Sequence, residues 1–434
     1  MAASDLEVMK TGPRQADLDK CVHCGLCLNA CPTYRELGLE MDSPRGRIYQ
    51  MVQVAEGKME IGPSYIEHID LCLACRGCET ACPSGVPYGR MVEAARAQIE
   101  ANIQRPLRTR LVRRFVFGHL LSSPAMLRLA GTFLYLYEST GLRKLVQSSG
   151  LLRLMGSLSE IESLAPAAEA PFFFRNIGKT FPAEGQRKYR VAFLAGCIAN
   201  VSFARLNEAT VRVLQKNFCE VDIPANQNCC GALHVHAGLR DEALKLARAN
   251  IDAIDPSKYD AIITNTAGCG STLKEYHELL EHDPAYAEKA RCFSRKMKDV
   301  NEFLASIELN RQMKPVPVVA TYQDSCHLAH GQRVRVQPRR LLESVPGLTL
   351  REMPLSDLCC GSAGIYNVVQ NEMSMKILEK KMRYVNSTGA EVIVTANPGC
   401  MIQLAAGVRK QGRGQRVAHV VEILDEAYRN FGKE

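Results

Sequence analysis

Tryptophan is missing from all 434 residues, and so is any apolar run long enough to cross a bilayer. The most hydrophobic stretch, FVFGHLLSSPAMLRLAGTFLYLYESTGLRKLV, is broken by Pro124 and Arg128, and its charge-free pieces fall well short of the ~20 residues a spanning helix needs. A peripheral amphipathic helix stays open. There is no GxGxxG fingerprint, so no flavin or nicotinamide site is expected within the chain. The polar N-terminus shows no secretory signal, which points to a reducing cytoplasmic setting, with peripheral attachment to the inner face of the cell membrane as an option. Charge is not extreme either: 54 Lys and Arg against 46 Asp and Glu leave +8, and no nucleic-acid partner is expected. The basic residues do crowd locally, with Arg105, Arg108, Arg110, Arg113 and Arg114 in ten positions. They read either as a solvated helical face or as a contact for anionic lipid or an acidic partner.

What is abundant is cysteine, eighteen in all. Disulfides staple small secreted domains without a core, which does not describe this chain, and the thiols come in CxxC steps, so metal is the better reading. CVHCGLCLNACP at residues 21–32 and CLACRGCETACP at 72–83 share the same spacing and the same terminal proline. Three cysteines in C-x2-C-x2-C can wrap one [4Fe-4S] cube, and the fourth, after three more residues and before proline, reaches the other cube. One cube would then take Cys21, Cys24, Cys27 and Cys82, and the second Cys72, Cys75, Cys78 and Cys31. Two zinc-binding CxxC pairs would leave the x3-Cys-Pro ending without a role. His23, inside the first motif, reads as a bystander.

The length implies two or three domains. The helical spacer between the cysteine motifs predicts an all-α two-cluster module over residues 1–100 rather than a compact ferredoxin. Residues 101–188 read as a helical basic region ending in a loose linker, SLAPAAEAPFFFRNIGKTFPAEGQ. From residue 189 onward the chain repeats itself. Cys197, Cys229, Cys230 and Cys269 recur as Cys326, Cys359, Cys360 and Cys400, at an offset of 129 to 131 residues. Each copy alternates short β-branched runs with amphipathic helices, which predicts two β/α domains with parallel-type sheets over 189–310 and 311–434. Two cysteine positions per copy are expected past the carboxyl ends of strands, where such sheets bind ligands. His327 and His330, with His234 and His236, are read as loop histidines rather than ligands, and the unmatched Cys219 and Cys292 as core residues.

The triplets Cys229-Cys230-Gly231 and Cys359-Cys360-Gly361 resemble the CCG domain of heterodisulfide reductases. The full order, a two-cluster module, a linker and two CCG domains, is similar to the iron-sulfur subunits of bacterial glycolate oxidases. CPTYRELGLEMDSPRGRIYQM, CRGCETACPSGVPYG, TAGCGSTLKEY, LCCGSAGIY and VTANPGC carry the likeness over essentially the whole chain. The resemblance implies a non-catalytic electron-transfer subunit of a glycolate dehydrogenase complex. FAD-containing partner subunits would oxidise glycolate to glyoxylate, and two [4Fe-4S] clusters would pass electrons toward a membrane quinone-type acceptor. Related plans serve D-lactate and glycerol-3-phosphate dehydrogenases, and a thiol-disulfide enzyme of the heterodisulfide reductase type is the other class. Against that class, Thr266 and Asn397 stand where its motif ends in CxxC with a first cysteine. The four thiols remaining in each copy could hold an iron-sulfur cluster, a zinc ion, or no metal.

Overall fold

The computed structural model describes residues 12–148 and 166–430. Up to residue 148 every regular element is helical: α1 (Pro32–Leu37), α2 (Pro44–Ala55), α3 (Pro63–Asp70) and α4 (Tyr88–Asn102) lead. Pro32, Pro44 and Pro63 each open a helix, where a missing N–H costs nothing, and the Ser43 hydroxyl accepts from Gly46 N at 3.0 Å to cap α2. The helices turn Ile48, Met51, Tyr65, Ile69, Met91, Val92, Ala95 and Ile99 toward one another. Cys72 and Cys78 border that core, so the thiol loops sit on a packed helical base.

The Arg-rich region continues as α5 (Leu107–Arg113), a π-helical stretch (Arg114–Leu120), α6 (Pro124–Ser139) and α7 (Leu142–Ser148). Its arginines divide. Arg105 pairs with Glu100 and Asp70, and Arg113 pairs with Glu100 and donates to the Ala237 carbonyl, while Arg108, Arg110 and Arg114 are exposed. Helix α6 buries Leu127 and Gly131 on one side and exposes Leu129, Phe133 and Leu136 on the other, a two-faced apolar helix.

The stretch expected as a loose linker begins within residues 149–165, which lie outside the described residues. From 166 onward it is tied down rather than loose. Phe173 is fully buried and packs edge-on against Phe193 at 6.1 Å between centroids, and Thr180–Phe181 forms strand β1. Burying a phenylalanine offsets the entropy of ordering a proline-containing loop.

Two sheets follow. The first contains β1, β2 (Tyr189–Phe193), β3 (Cys219–Asp222), β4 (Ala261–Thr264) and β5 (Met297–Asp299) in the order β1-β3-β2-β4-β5. The second contains β6 (Val319–Tyr322), β7 (Thr349–Glu352), β8 (Val392–Thr395) and β9 (Arg416–His419) in the order β7-β6-β8-β9. Leaving β1 aside, the two orders are the same, so the repeat in the cysteines is a repeat in topology. Every pairing within the two repeats is parallel, as expected, and the strand β1 that precedes them adds to the first sheet antiparallel to β3. AIIT in β4 and VIVT in β8 are buried at every position, as strands covered on both faces must be.

Helices α8 (Ala204–Lys216), α9 (Ala232–His236), α10 (Arg240–Ala253) and α11 (Ala267–Lys274) flank the first sheet; α12 (Asn371–Ser387), α13 (Pro398–Gln411) and α14 (Val420–Asn430) flank the second. The copies are not separate beads. Val213 and Leu214 of α8 share a core with Ile423 and Leu424 of α14. Across this seam Arg212 grips Asp425 with two bonds of 2.8 Å, and Asn217 donates to the Tyr428 hydroxyl at 3.2 Å.

Candidate iron-sulfur and cysteine-rich centres

The two N-terminal motifs wind in the same way. His23 and Gly25 in the first, and Ala74 and Arg76 in the second, all have positive φ, between 51° and 83°. Three of these are not glycine, so the conformation is held against a steric cost. Successive amides in such loops point inward and form a concavity suited to negative sulfur; Ala74 N donates to Cys72 Sγ at 3.3 Å. This donor set fits an iron-sulfur cluster.

The eight thiols fall around two cavities. One is lined by Cys21, Cys24, Cys27 and Cys82, together with Cys78, which lines both. The other is lined by Cys31, Cys72, Cys75 and Cys78. Cys82 of the second motif thus stands with the first three cysteines, and Cys31 of the first motif with the second three. The surroundings of the two cavities differ sharply. Cys24 is exposed, as are its neighbours Val22 (69%) and Leu26 (60%), so the first cavity lies at the surface. The second is enclosed: burial pushes the Cys75 and Cys78 thiols well above their ordinary range. Arg47, 1% exposed, lies beside Cys31 at 3.9 Å and is fixed by Thr33 and by the His68 carbonyl. Tyr88 donates to Cys72 Sγ at 3.6 Å. His23 is exposed; its carbonyl accepts from Arg45 and its backbone N–H lies against the Cys21 thiol.

In the repeats all four cysteines of each copy gather past the carboxyl ends of the parallel strands, more than the two expected. Cys197 follows β2, Cys229 and Cys230 follow β3, and Cys269 lies in α11 after β4. Cys326, Cys359, Cys360 and Cys400 stand correspondingly after β6, β7 and β8. Cys197 Sγ is 3.6 Å from Cys229 Sγ. Hydrogen bonds to neighbouring thiols and burial push Cys197, Cys359 and Cys400 well above the ordinary thiol range. The glycine of each CCG triplet has φ of +81° or +94°, and a Cβ at Gly361 would lie 2.6 Å from the Ser374 carbonyl oxygen. Only glycine lets the chain turn there after two thiols. Among the described residues, no three His, Cys, Asp or Glu side chains are arranged around a single ion position.

The cluster module and the repeats are in contact through these sites. Cys75 lies close enough to Cys326 and Cys359 for their charges to couple, within one apolar cluster that includes Leu73 and Tyr366. Tyr366 donates to the Leu71 carbonyl at 2.9 Å. Arg76 pairs with Glu79 in its own module and with Glu275 and Ser271 in the first repeat. The histidines expected in loops are in fact helical and belong to this seam. His330 meets Thr80 at 2.8 Å, His236 meets Glu93 at 3.0 Å and packs against His327, and His234 meets the Phe117 carbonyl at 2.9 Å. Cys219 is buried as expected. Cys292 is not a core residue: it is half-buried on a helix surface, bonded to Arg295 and Glu288.

Sequence reasoning missed two residues. Lys381 is 2% exposed beside Cys359 and Cys360, donating to the Leu355 and Ser356 carbonyls at 2.9 and 3.2 Å, and burial lowers its pKa. Its signal was legible, because Lys381 falls on the apolar stripe of α12 with Ile377, Leu378 and Val385. Asn397, noticed only as a missing cysteine, bonds both copies: its Nδ2 donates to Cys400 Sγ at 3.5 Å and its Oδ1 accepts from Gly268 N at 3.3 Å.

Known families match these parts. A 4Fe-4S dicluster domain family matches residues 17–86, a cysteine-rich domain family matches 191–274 and 320–405, and the glycolate oxidase iron-sulfur subunit linker region matches 108–165. The chain is 41% identical to the probable glycolate oxidase iron-sulfur subunit of Bacillus subtilis over 95% of this chain and 94% of that one. It is 34% identical to the glycolate oxidase iron-sulfur subunit of Escherichia coli over 97% and 98%. A shorter likeness, 30% over 54% of this chain and 96% of the relative, joins it to lactate utilization protein A of Oceanobacillus iheyensis. Among the described residues no helix is long and apolar enough to cross a membrane. With a dicluster module, a family-specific linker and two cysteine-rich domains in one order along nearly its whole length, the chain belongs to the family of glycolate oxidase iron-sulfur subunits.

Proposed function

We propose that the chain is the non-catalytic electron relay of a glycolate-oxidising complex. FAD-containing partner subunits convert glycolate to glyoxylate, and the chain conducts the electrons to a quinone-type acceptor. Cys21, Cys24, Cys27 and Cys82 hold one [4Fe-4S] cube, and Cys72, Cys75, Cys78 and Cys31 hold the other. Such cubes, when bound, carry single electrons at potentials set by charge and hydrogen bonding around sulfur. The chain supplies that tuning unevenly: the buried Arg47 guanidinium and the Tyr88 hydroxyl face the inner group of thiols, and solvent faces the outer one. The quartets Cys197, Cys229, Cys230, Cys269 and Cys326, Cys359, Cys360, Cys400 are the sites for any further centre.

The observation that carries this reading is the seam at which Cys75 meets Cys326 and Cys359, because it continues a line of thiols from the surface at Cys24 into the second repeat. The exposed apolar face of α5 and α6, with Arg108, Arg110 and Arg114 beside it, supports peripheral contact with an anionic membrane.

Iron and sulfide analysis with low-temperature EPR on anaerobically purified protein tests the assignment. About eight irons are expected for two cubes, and more if the quartets are filled. Cys82→Ser and Cys31→Ser should each remove the reduced-state signal of a single cube. A Cys82→Ser protein that kept both signals and its full iron content would sink the cross-ligation. Glycolate oxidation by the flavin-free chain would overturn the relay role.

A further inference from the structure

Beneath α6, beside the first thiol quartet, lies a cavity of about 170 Å³. Its lining includes Cys197 and Cys229 of the first quartet, and its walls are Leu121 and Leu127 from the linker region with Phe174 and Ile177 from the segment before β1. None of the lining residues is charged. Asn200, which also lines it, is 5% exposed; its Nδ2 is given to the Gly196 carbonyl at 2.5 Å, and its Oδ1 has no partner.

We propose that this cavity is where a quinone-type acceptor is bound and reduced, with its head group against Cys197 and Cys229 and its isoprenoid tail leaving along α6. The proposal rests on the relay reading and gives the acceptor a site. Its polarity suits it: small-molecule sites are mostly apolar and carry a few placed polar groups. A hydroxy acid or an anionic thiol substrate would leave its charge unpaired against these walls, which is costly. The quinone takes up two electrons, those the flavoprotein partner removes from its hydroxy-acid substrate, and two protons from solvent, so that both carbonyl oxygens become hydroxyls. The Asn200 Oδ1 is buried without a donor and out of reach of the cavity as it stands, and it accepts from one such hydroxyl once the side chain turns inward. Helix α6 also explains how an apolar tail could leave. Its inner face lines the cavity through Leu127, and its outer face is apolar through Leu129, Phe133 and Leu136.

The test is photolabelling of the purified full chain with a short-chain azidoquinone, followed by peptide mapping. Labelling should concentrate on peptides carrying Leu121–Leu127 or Asn200 and be displaced by unlabelled quinone. Leu127→Trp, which fills the cavity, and Asn200→Leu, which removes the amide oxygen, should each reduce it at least tenfold while the EPR signals of the N-terminal module persist. Saturable labelling on other peptides, indifferent to both variants, would overturn the site and leave the quinone-type acceptor standing. No saturable labelling anywhere, together with no reoxidation of the reduced chain by quinone, would overturn both.

Discussion

His419 shows how far a single buried side chain can be from its solution behaviour. It is fully buried; its Nδ1 accepts from Val421 N at 3.1 Å and its Nε2 has no partner, and burial lowers its pKa to about 4. The unfolded chain binds that proton near pH 6.5, so between pH 6.5 and 4 it holds one proton more than the folded chain does. Stability is therefore fully present above pH 6.5, falls as pH drops to 4, and changes no further on this account below that, a loss of up to about 3 kcal/mol. The thermal midpoint should fall over that window, and more shallowly in His419→Asn. Lys381 makes the complementary point beside Cys359 and Cys360. A buried ammonium held by two carbonyls stands where thiolates or a cluster would bring negative charge. Its position on the apolar stripe of α12 was readable from the periodicity of MSMKILEKKMRYV; the thiols it faces were not, because they come from a different loop.

At the scale of elements, α6 exposes Leu129, Phe133, Tyr135 and Leu136, and α5 exposes Leu107, Leu111 and Val112. Phe133 and Leu136 are 64% and 48% exposed and contribute nothing to the core, so Phe133→Asp with Leu136→Asp should leave thermal stability nearly unchanged. The pair should cut co-sedimentation with anionic vesicles several-fold, and the unaltered chain should lose the same binding as salt is raised, since Arg108, Arg110 and Arg114 supply the electrostatic part. Equal binding by the double variant would exclude this face as the membrane contact. Arg76 is the corresponding element for internal docking. It couples the second cysteine loop to α11 through Glu275, and with Glu79 on its other side both its charge partners are engaged. Arg76→Ala leaves the half-buried Glu275 without its cation and should destabilise the seam by about 1–3 kcal/mol, read as faster hydrogen exchange in α4 and α11.

For the whole molecule, the thiol groups run from outside to inside, and this order has a direction. Val22 and Leu26 ring the exposed Cys24, a small apolar landing surface at the outer cavity, while the inner cavity is sealed against the second repeat. Replacing Val22 and Leu26 with glutamate should slow reduction of the chain by the proposed flavoprotein partner at least tenfold and leave reduction by dithionite unchanged. A variant reduced by the partner at the normal rate would move the entry point elsewhere.

Much of this was decided by the sequence alone, and for a local reason. A CxxCxxC loop of seven residues has few ways to point three sulfurs at one centre, so spacing specifies chemistry, and a period of about 130 residues in the cysteines announced the twin sheets. The grouping of Cys82 with Cys21 and of Cys31 with Cys72 was expected from the x3-Cys-Pro endings, and packing of the helices between the two motifs brings those thiols to shared cavities. The tertiary structure alone decided what depends on packing between distant segments: the meeting of Cys75 with Cys326 and Cys359, the histidines gathered in the seam, the cavity beneath α6, and the shared core of α8 and α14. Asn397 marks the boundary between the two. As a residue in a motif it was an absence of cysteine. In the folded chain its two amide atoms join Cys400 to the start of helix α11, which carries Cys269, a contact that exists only because two sheets of the same order pack around one core.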